Sequence, residues 1–123
     1  MTILDFHDRL GNTVLLFTAI MTIWGLWRYF RRQGIDSSYW GALVIAEVLY
    51  ILQDVIGVIV YAGGTARPLQ PFMHILYGVV EVLVMPAIFF FTRGDDQRRS
   101  MLIYALGFLF LIGIFLRLQA TGL

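Results

Sequence analysis

The sequence predicts an all-α integral membrane four-helix bundle, up-down-up-down, with no soluble domain. Hydrophobic residues make up 59% of the chain and charged residues only 14%, a balance outside the range of soluble globular domains. The apolar residues gather into four stretches, each near the roughly 20 residues that a helix needs to cross hydrocarbon. Together with their short connections these stretches use nearly all 123 residues. The chain therefore reads as one transmembrane domain, residues 1–123, with helices over about 3–31, 38–62, 71–92 and 97–119.

Each helix has its own signals. Thr2 followed by Asp5 forms a capping box for helix 1, so its first turns stand before the apolar core. His7, Gly11, Thr18, Thr22 and Gly25 then fall close to one face, where small and hydroxyl side chains admit a neighbouring helix. Trp24, Trp27 and Tyr29 lie beside Arg28, Arg31 and Arg32, an aromatic belt at a basic membrane surface. Asp36, Ser37 and Ser38 offer N-cap oxygens for helix 2, which Gly63 and Gly64 bring to an end. A short connection, Thr65–Gln70, makes helices 2 and 3 antiparallel neighbours. Pro71 suits the first turn of helix 3, and Pro86 predicts a kink in its last third. Asp95 or Asp96 is the expected N-cap of helix 4, whose almost unbroken apolarity predicts the largest lipid-facing share.

Charge assigns orientation and excludes partners. All nine basic residues are arginines, and the net charge is only +1, so nucleic acid is not an expected partner. Arg28, Arg31, Arg32, Arg93, Arg98 and Arg99 flank the first and third connections, against Arg9, Arg67 and Arg117 at the opposite ends. That asymmetry predicts the first and third connections in the cytoplasm and both termini outside. Asp5, His7 and Asp8 stand where a signal peptide would be basic, so helix 1 is expected to be retained. The absence of cysteine rules out disulfides, Cys-ligated metals and covalent haem attachment through Cys-x-x-Cys-His.

Helix 2 carries the polar residues that an apolar span should not have. Glu47, Tyr50, Asp54, Gly57 and Tyr61 recur every three or four residues, hence on one face, with Gln53 beside them. Carboxyl groups at membrane depth cost several kcal/mol unless they turn inward, so this face predicts a packed interior or a partner subunit. Helix 3 has a matching stripe in His74, Tyr77 or Gly78, Glu81 and Met85. Interhelical or intersubunit polar contacts through Glu47, Tyr50, Gln53, Asp54 and Glu81 follow, with Arg117 and His74 as further partners for Asp54. Glu47, far from both histidines, is the one expected to reach a neighbouring subunit. His7 and His74, the two histidines of the chain, open helices 1 and 3 from the same side and come to one height. Two such imidazoles could hold a b-type haem, with Gly11 and Gly78 admitting the porphyrin. Alternatively, Glu47, Asp54 and Glu81 form a proton or ion path. No nucleophile–base pair or phosphate loop is present in the sequence, so no catalytic residues, metal site or enzyme activity are expected.

His7 with the following Asp8-Arg9-Leu10, His74, and the turn Arg93 to Arg99 resemble a loose group of small bacterial four-helix membrane proteins of cytochrome b-like character. Its members open helix 1 with one histidine and carry another in helix 3, typically after a glutamate; here Met73 precedes His74. Size, arginine usage and layout are also similar to accessory membrane subunits of bacterial electron-transfer assemblies, such as alternative complex III. The resemblance implies a non-catalytic accessory subunit of a respiratory or photosynthetic complex. It would need no cofactor and pack against larger transmembrane subunits and lipid, with room for a quinone pocket at a subunit boundary. The alternatives are a haem b protein using His7 and His74, and a small translocator using Glu47, Asp54 and Glu81.

Overall fold

The computed structural model describes residues 2–64 and 67–122, and their regular structure is entirely helical. The elements are α1 (Ile3–Phe30), α2 (Ser37–Ala62), α3 (Pro71–Thr92) and α4 (Arg98–Thr121). The predicted boundaries hold to within a residue or two. Of the predicted connection Thr65–Gln70, residues 65 and 66 lie outside the described residues.

The helix starts follow local chemistry. Thr2 and Asp5 satisfy each other's backbone N–H across the first turn of α1, both at 3.2 Å. Asp36 accepts from the Tyr39 N–H at 2.8 Å and pairs with Arg28 at 3.2 Å, so one carboxylate caps α2 and ties it back to α1. Pro71 occupies the first turn of α3, which continues through Pro86 as one helix and ends on Arg93 in the left-handed region. The cap of α4 differs from expectation: Gln97 is the N-cap residue and makes no side-chain cap. Asp95 instead accepts from the Gln97 N–H at 3.2 Å and the Ser100 hydroxyl at 2.6 Å, bracing the turn before the helix.

The helices form a ring in which each packs on its two neighbours, α1 on α2, α2 on α3, α3 on α4 and α4 on α1. The α1–α4 seam is the most extensive and the α2–α3 seam the thinnest. Helix α4 is thus the best buried of the four, contrary to the lipid-facing share predicted for it. Met101, Tyr104, Ala105, Phe108, Leu111 and Phe115 all point into the core. The physical reason is that lipid and bundle interior are equally apolar, so an unbroken apolar helix carries no pattern that separates one face from the other.

All four helices are long and apolar enough to cross a membrane, and their outward faces are rows of exposed aliphatic side chains such as Val44, Val48, Val55 and Val58. The chain is a multi-pass membrane protein. Its two ends are built differently. At the end carrying the first and third connections, here the arginine end, Ile35 N–H donates to Asp96 O at 2.7 Å and Arg98 Nε to Tyr29 O at 2.7 Å. Above this clamp, Trp24 meets Tyr39 edge-on at 4.8 Å between ring centroids, and Trp40 meets Tyr104 at 5.7 Å. Gly25 admits Tyr39 so closely that a Cβ would lie 2.7 Å from its hydroxyl. At mid-bundle, Thr18 gives its proton to Val14 O at 2.8 Å, so the fully buried Tyr50 hydroxyl donates to Thr18 Oγ1 at 2.7 Å. Beyond Tyr50, towards the two termini, the packing opens.

Candidate functional site

At this open end the four helices enclose a cavity of about 770 Å³, within the range of about 300–1,000 Å³ that holds cofactors and drug-sized ligands. Its walls come from the first turns of α1, the second half of α2, the first half of α3 and the last turns of α4. The lining is mainly apolar, with His7, His74, Gln53, Asp54 and Glu81 converging on it. A predominantly apolar chamber with a few convergent polar groups is the usual form of a small-molecule site.

Glycine makes room for these polar side chains. A Cβ on Gly57 would stand 3.1 Å from His7 Cε1, and one on Gly11 3.1 Å from Gln53 Nε2. A Cβ on Gly78 would stand 3.4 Å from Asp54 Oδ1, and one on Gly122 3.1 Å from His74 Cε1. His7, Gln53, Asp54 and His74 thus each rest on a glycine of a neighbouring segment. This revises the part predicted for Gly11 and Gly78. They line the cavity, but the space beside each is taken by Gln53 and Asp54, so the room for a ligand lies in the chamber between the helices and not at these two glycines.

The hydrogen bonds orient some of these groups and leave others free. Gln53 Nε2 donates to the His7 carbonyl at 2.9 Å, fastening α2 to the first turns of α1. Thr121 gives its hydroxyl proton to Arg117 O at 2.9 Å, so its oxygen is an acceptor towards His74 Nδ1 at 3.2 Å. His74 thereby carries its proton on Nδ1, and its Nε2 keeps a free lone pair. Among the described residues, the buried side-chain atoms without a partner are His7 Nδ1, Gln53 Oε1, Glu81 Oε1, Glu47 Oε1 and the Tyr104 hydroxyl. The first three belong to residues that line the cavity, so unmet hydrogen-bonding capacity is concentrated there. Natural interiors leave few such groups, and each calls for an explanation.

The site has two layers. His7 against Gly57 and His74 against Gly122 form the outer one. Asp54 is three residues before Gly57 and Glu81 seven after His74, which places them deeper by about 4.5 Å and about 10 Å respectively. Glu81 is only 1% exposed. Sequence reasoning named His7, His74, Gln53, Asp54 and Glu81, and the fold brings all five to one chamber. Tyr50 makes its interhelical bond to Thr18 just below it. One expectation fails here. Arg117 is exposed and does not line the cavity, so it is no partner for Asp54; Arg67 stands in the lining instead. Tyr61, the last residue of the α2 stripe, lines the cavity at its mouth and is 41% exposed. Thr121, which orients His74, is not marked by any motif, and a lone threonine gives no sequence signal. Glu47 sits outside the cavity, on the arginine side of Tyr50.

Among the described residues no group of three or more His, Cys, Asp or Glu is gathered closely enough to hold a bare metal ion. Comparison with protein-family models, with characterised proteins and with solved structures finds no match to this chain.

Proposed function

We propose that this chain is a membrane electron-transfer protein of a bacterial inner membrane, with both termini outward, that holds a b-type haem between His7 and His74. The observation that carries this reading is the state of His74: its Nδ1–H is donated to Thr121, leaving Nε2 as a free ligand on the same cavity that His7 lines. Metal-bound histidines usually make this second bond, which fixes the ring and its tautomer. The residues present fit the group. The chamber is of cofactor size and mostly apolar, His7 Nδ1 is buried without a partner, and Arg67 in the lining offers a cation for acidic substituents. A haem supplies reversible one-electron transfer between two oxidation states of its iron. The chain's own part is to present two neutral imidazoles, hold one through Thr121 and the other against Gly57, and exclude water with the apolar walls of four helices.

The test is an absorption spectrum of the purified full chain from cells supplied with haem. The expected result is a sharp reduced-minus-oxidised b-type band that is lost in His74→Ala and in His7→Ala. Thr121→Val should retain the band while shifting the midpoint potential, since only the orientation and basicity of His74 change. A colourless chain that takes up no haemin on reconstitution overturns the reading.

A second reading, the accessory subunit of a larger electron-transfer complex, is supported by Glu47. Its side chain is only partly buried and lies away from the cavity, so part of this polar residue in an apolar span is open to a neighbouring subunit. Purification in mild detergent decides it: larger redox subunits should accompany the wild-type chain and be lost from Glu47→Leu. The two readings are compatible, since a haem-bearing chain can itself belong to such an assembly.

A further inference from the structure

The acid layer has a feature that the histidine pair does not use. Where α2 and α3 meet least, their outer surfaces leave a cleft of about 240 Å³ lined by Ile51, Asp54, Val55, Val79, Val82 and Leu83. Apart from Asp54 its walls are aliphatic, and Ile51, Val55, Val79 and Leu83 are all about half exposed on the membrane-facing side. Asp54 lines this cleft and also lines the inner cavity. Behind it, on the same cavity, stands Glu81, 1% exposed, with Oε1 buried and without a partner. The Asp54 and Glu81 carboxyls share a hydrogen bond with each other, which leaves Glu81 Oε1 as the oxygen of the pair still without a donor.

We propose that the cleft between α2 and α3 is a lateral portal through which a lipid-soluble molecule with a hydroxyl head reaches Asp54 and Glu81, the two carboxyl groups accepting its O–H bonds. The aliphatic walls suit a hydrocarbon tail, and the approach from the side requires no aqueous path. Asp54, seated against Gly78, sits at the junction of portal and chamber, and Glu81 is the inner acceptor. A quinol, with hydroxyls at two ends of a flat ring, and a diacylglycerol, with a single hydroxyl, share this chemistry. The inference goes beyond haem binding and does not depend on it, because the acids lie deeper than the histidines and on the α2–α3 side.

The test uses the full chain, delipidated in detergent micelles, titrated calorimetrically with decylubiquinol, decylubiquinone and dioctanoylglycerol. Saturable binding of a hydroxyl probe is expected, weakened by about tenfold or more in Glu81→Leu, as befits loss of a hydrogen bond to a carboxyl acceptor. Val79→Trp, which fills the portal from outside and leaves both acids in place, should weaken binding similarly. The probe that binds more tightly, quinol or diacylglycerol, identifies the source of the hydroxyl. Thermal unfolding without ligand, compared between wild type, Glu81→Leu and Val79→Trp, separates loss of binding from loss of fold. The inference is overturned if neither hydroxyl probe saturates, if decylubiquinone binds as tightly as decylubiquinol, or if Glu81→Leu and Val79→Trp bind like wild type. A haem band that persists in Glu81→Leu while quinol binding is lost separates this site from the histidine pair. Quinol binding by a chain that takes up no haem leaves the portal standing and removes the haem.

Discussion

The two halves of this bundle use the same residue types for opposite ends. In the arginine half, Gly25 lets Tyr39, Ala105 and Met101 close over it, and the aromatic rings of Trp24, Tyr39, Trp40, Tyr104 and Phe108 fill what remains. In the open half, Gly11, Gly57, Gly78 and Gly122 each receive a polar side chain, and the space between them stays unfilled. Small residues in membrane helices usually permit close approach of backbones. Here that holds in one half only. In the other they recess the polar groups into the walls, so that a chamber and its hydrogen-bonding groups occupy one cross-section. The packed half supplies the rigidity, and the open half carries the groups that stability alone would have removed.

Substitutions can break or sharpen this contrast. The largest effect is expected at Gly25→Val. The new side chain meets Tyr39, Ala105 and Met101 at once, with Tyr39 held by its bond to Met21 O at 3.0 Å. Overpacking of this kind should cost about 3 kcal/mol, read as reduced stability in mixed-micelle unfolding. A smaller loss, about 1 kcal/mol, is expected for Thr18→Val at the boundary between the halves, where the Tyr50 hydroxyl would lose its acceptor. Loss of well over that amount would mean that the open half depends on this bond for its shape. The smallest changes belong to the open half and the lipid face. Gly57→Ala should alter stability by less than about 0.5 kcal/mol, since the His7 ring can move into the cavity and alanine favours the helix. Its haem band, by contrast, should be weakened or shifted. Gly113→Ala faces no atom within 4 Å and should be neutral or slightly stabilising, with the spectrum unchanged. A Gly57→Ala loss as large as that of Gly25→Val would erase the distinction drawn here.

Much of the candidate site was legible because its residues are expensive. His7, His74, Gln53, Asp54 and Glu81 stand out in apolar spans, and helical spacing alone puts each set on one face of its helix. Antiparallel order then brings the start of α1, the end of α2 and the start of α3 to the same end. The accompanying residues were less visible. Thr121 looks like any threonine near a chain end, and Gly57 and Gly122 look like any membrane glycine, because what matters is the side chain each one faces on another helix. Arg117 misled for the complementary reason: a cation close in sequence to the site proves to be on the outward side of its helix.

By itself the sequence determined the number of helices, their ends and the depth of each polar residue, since hydropathy, capping chemistry and helical rise are local properties. Only the tertiary structure decided that α4 is the buried helix, that the arginine half closes while the other half encloses about 770 Å³, and that Asp54 is shared by cavity and lateral cleft. Those outcomes depend on which faces meet across the ring. In a membrane, where lipid and protein interior are alike in polarity, that choice rests on shape and hydrogen bonding between helices, neither of which a single helix records.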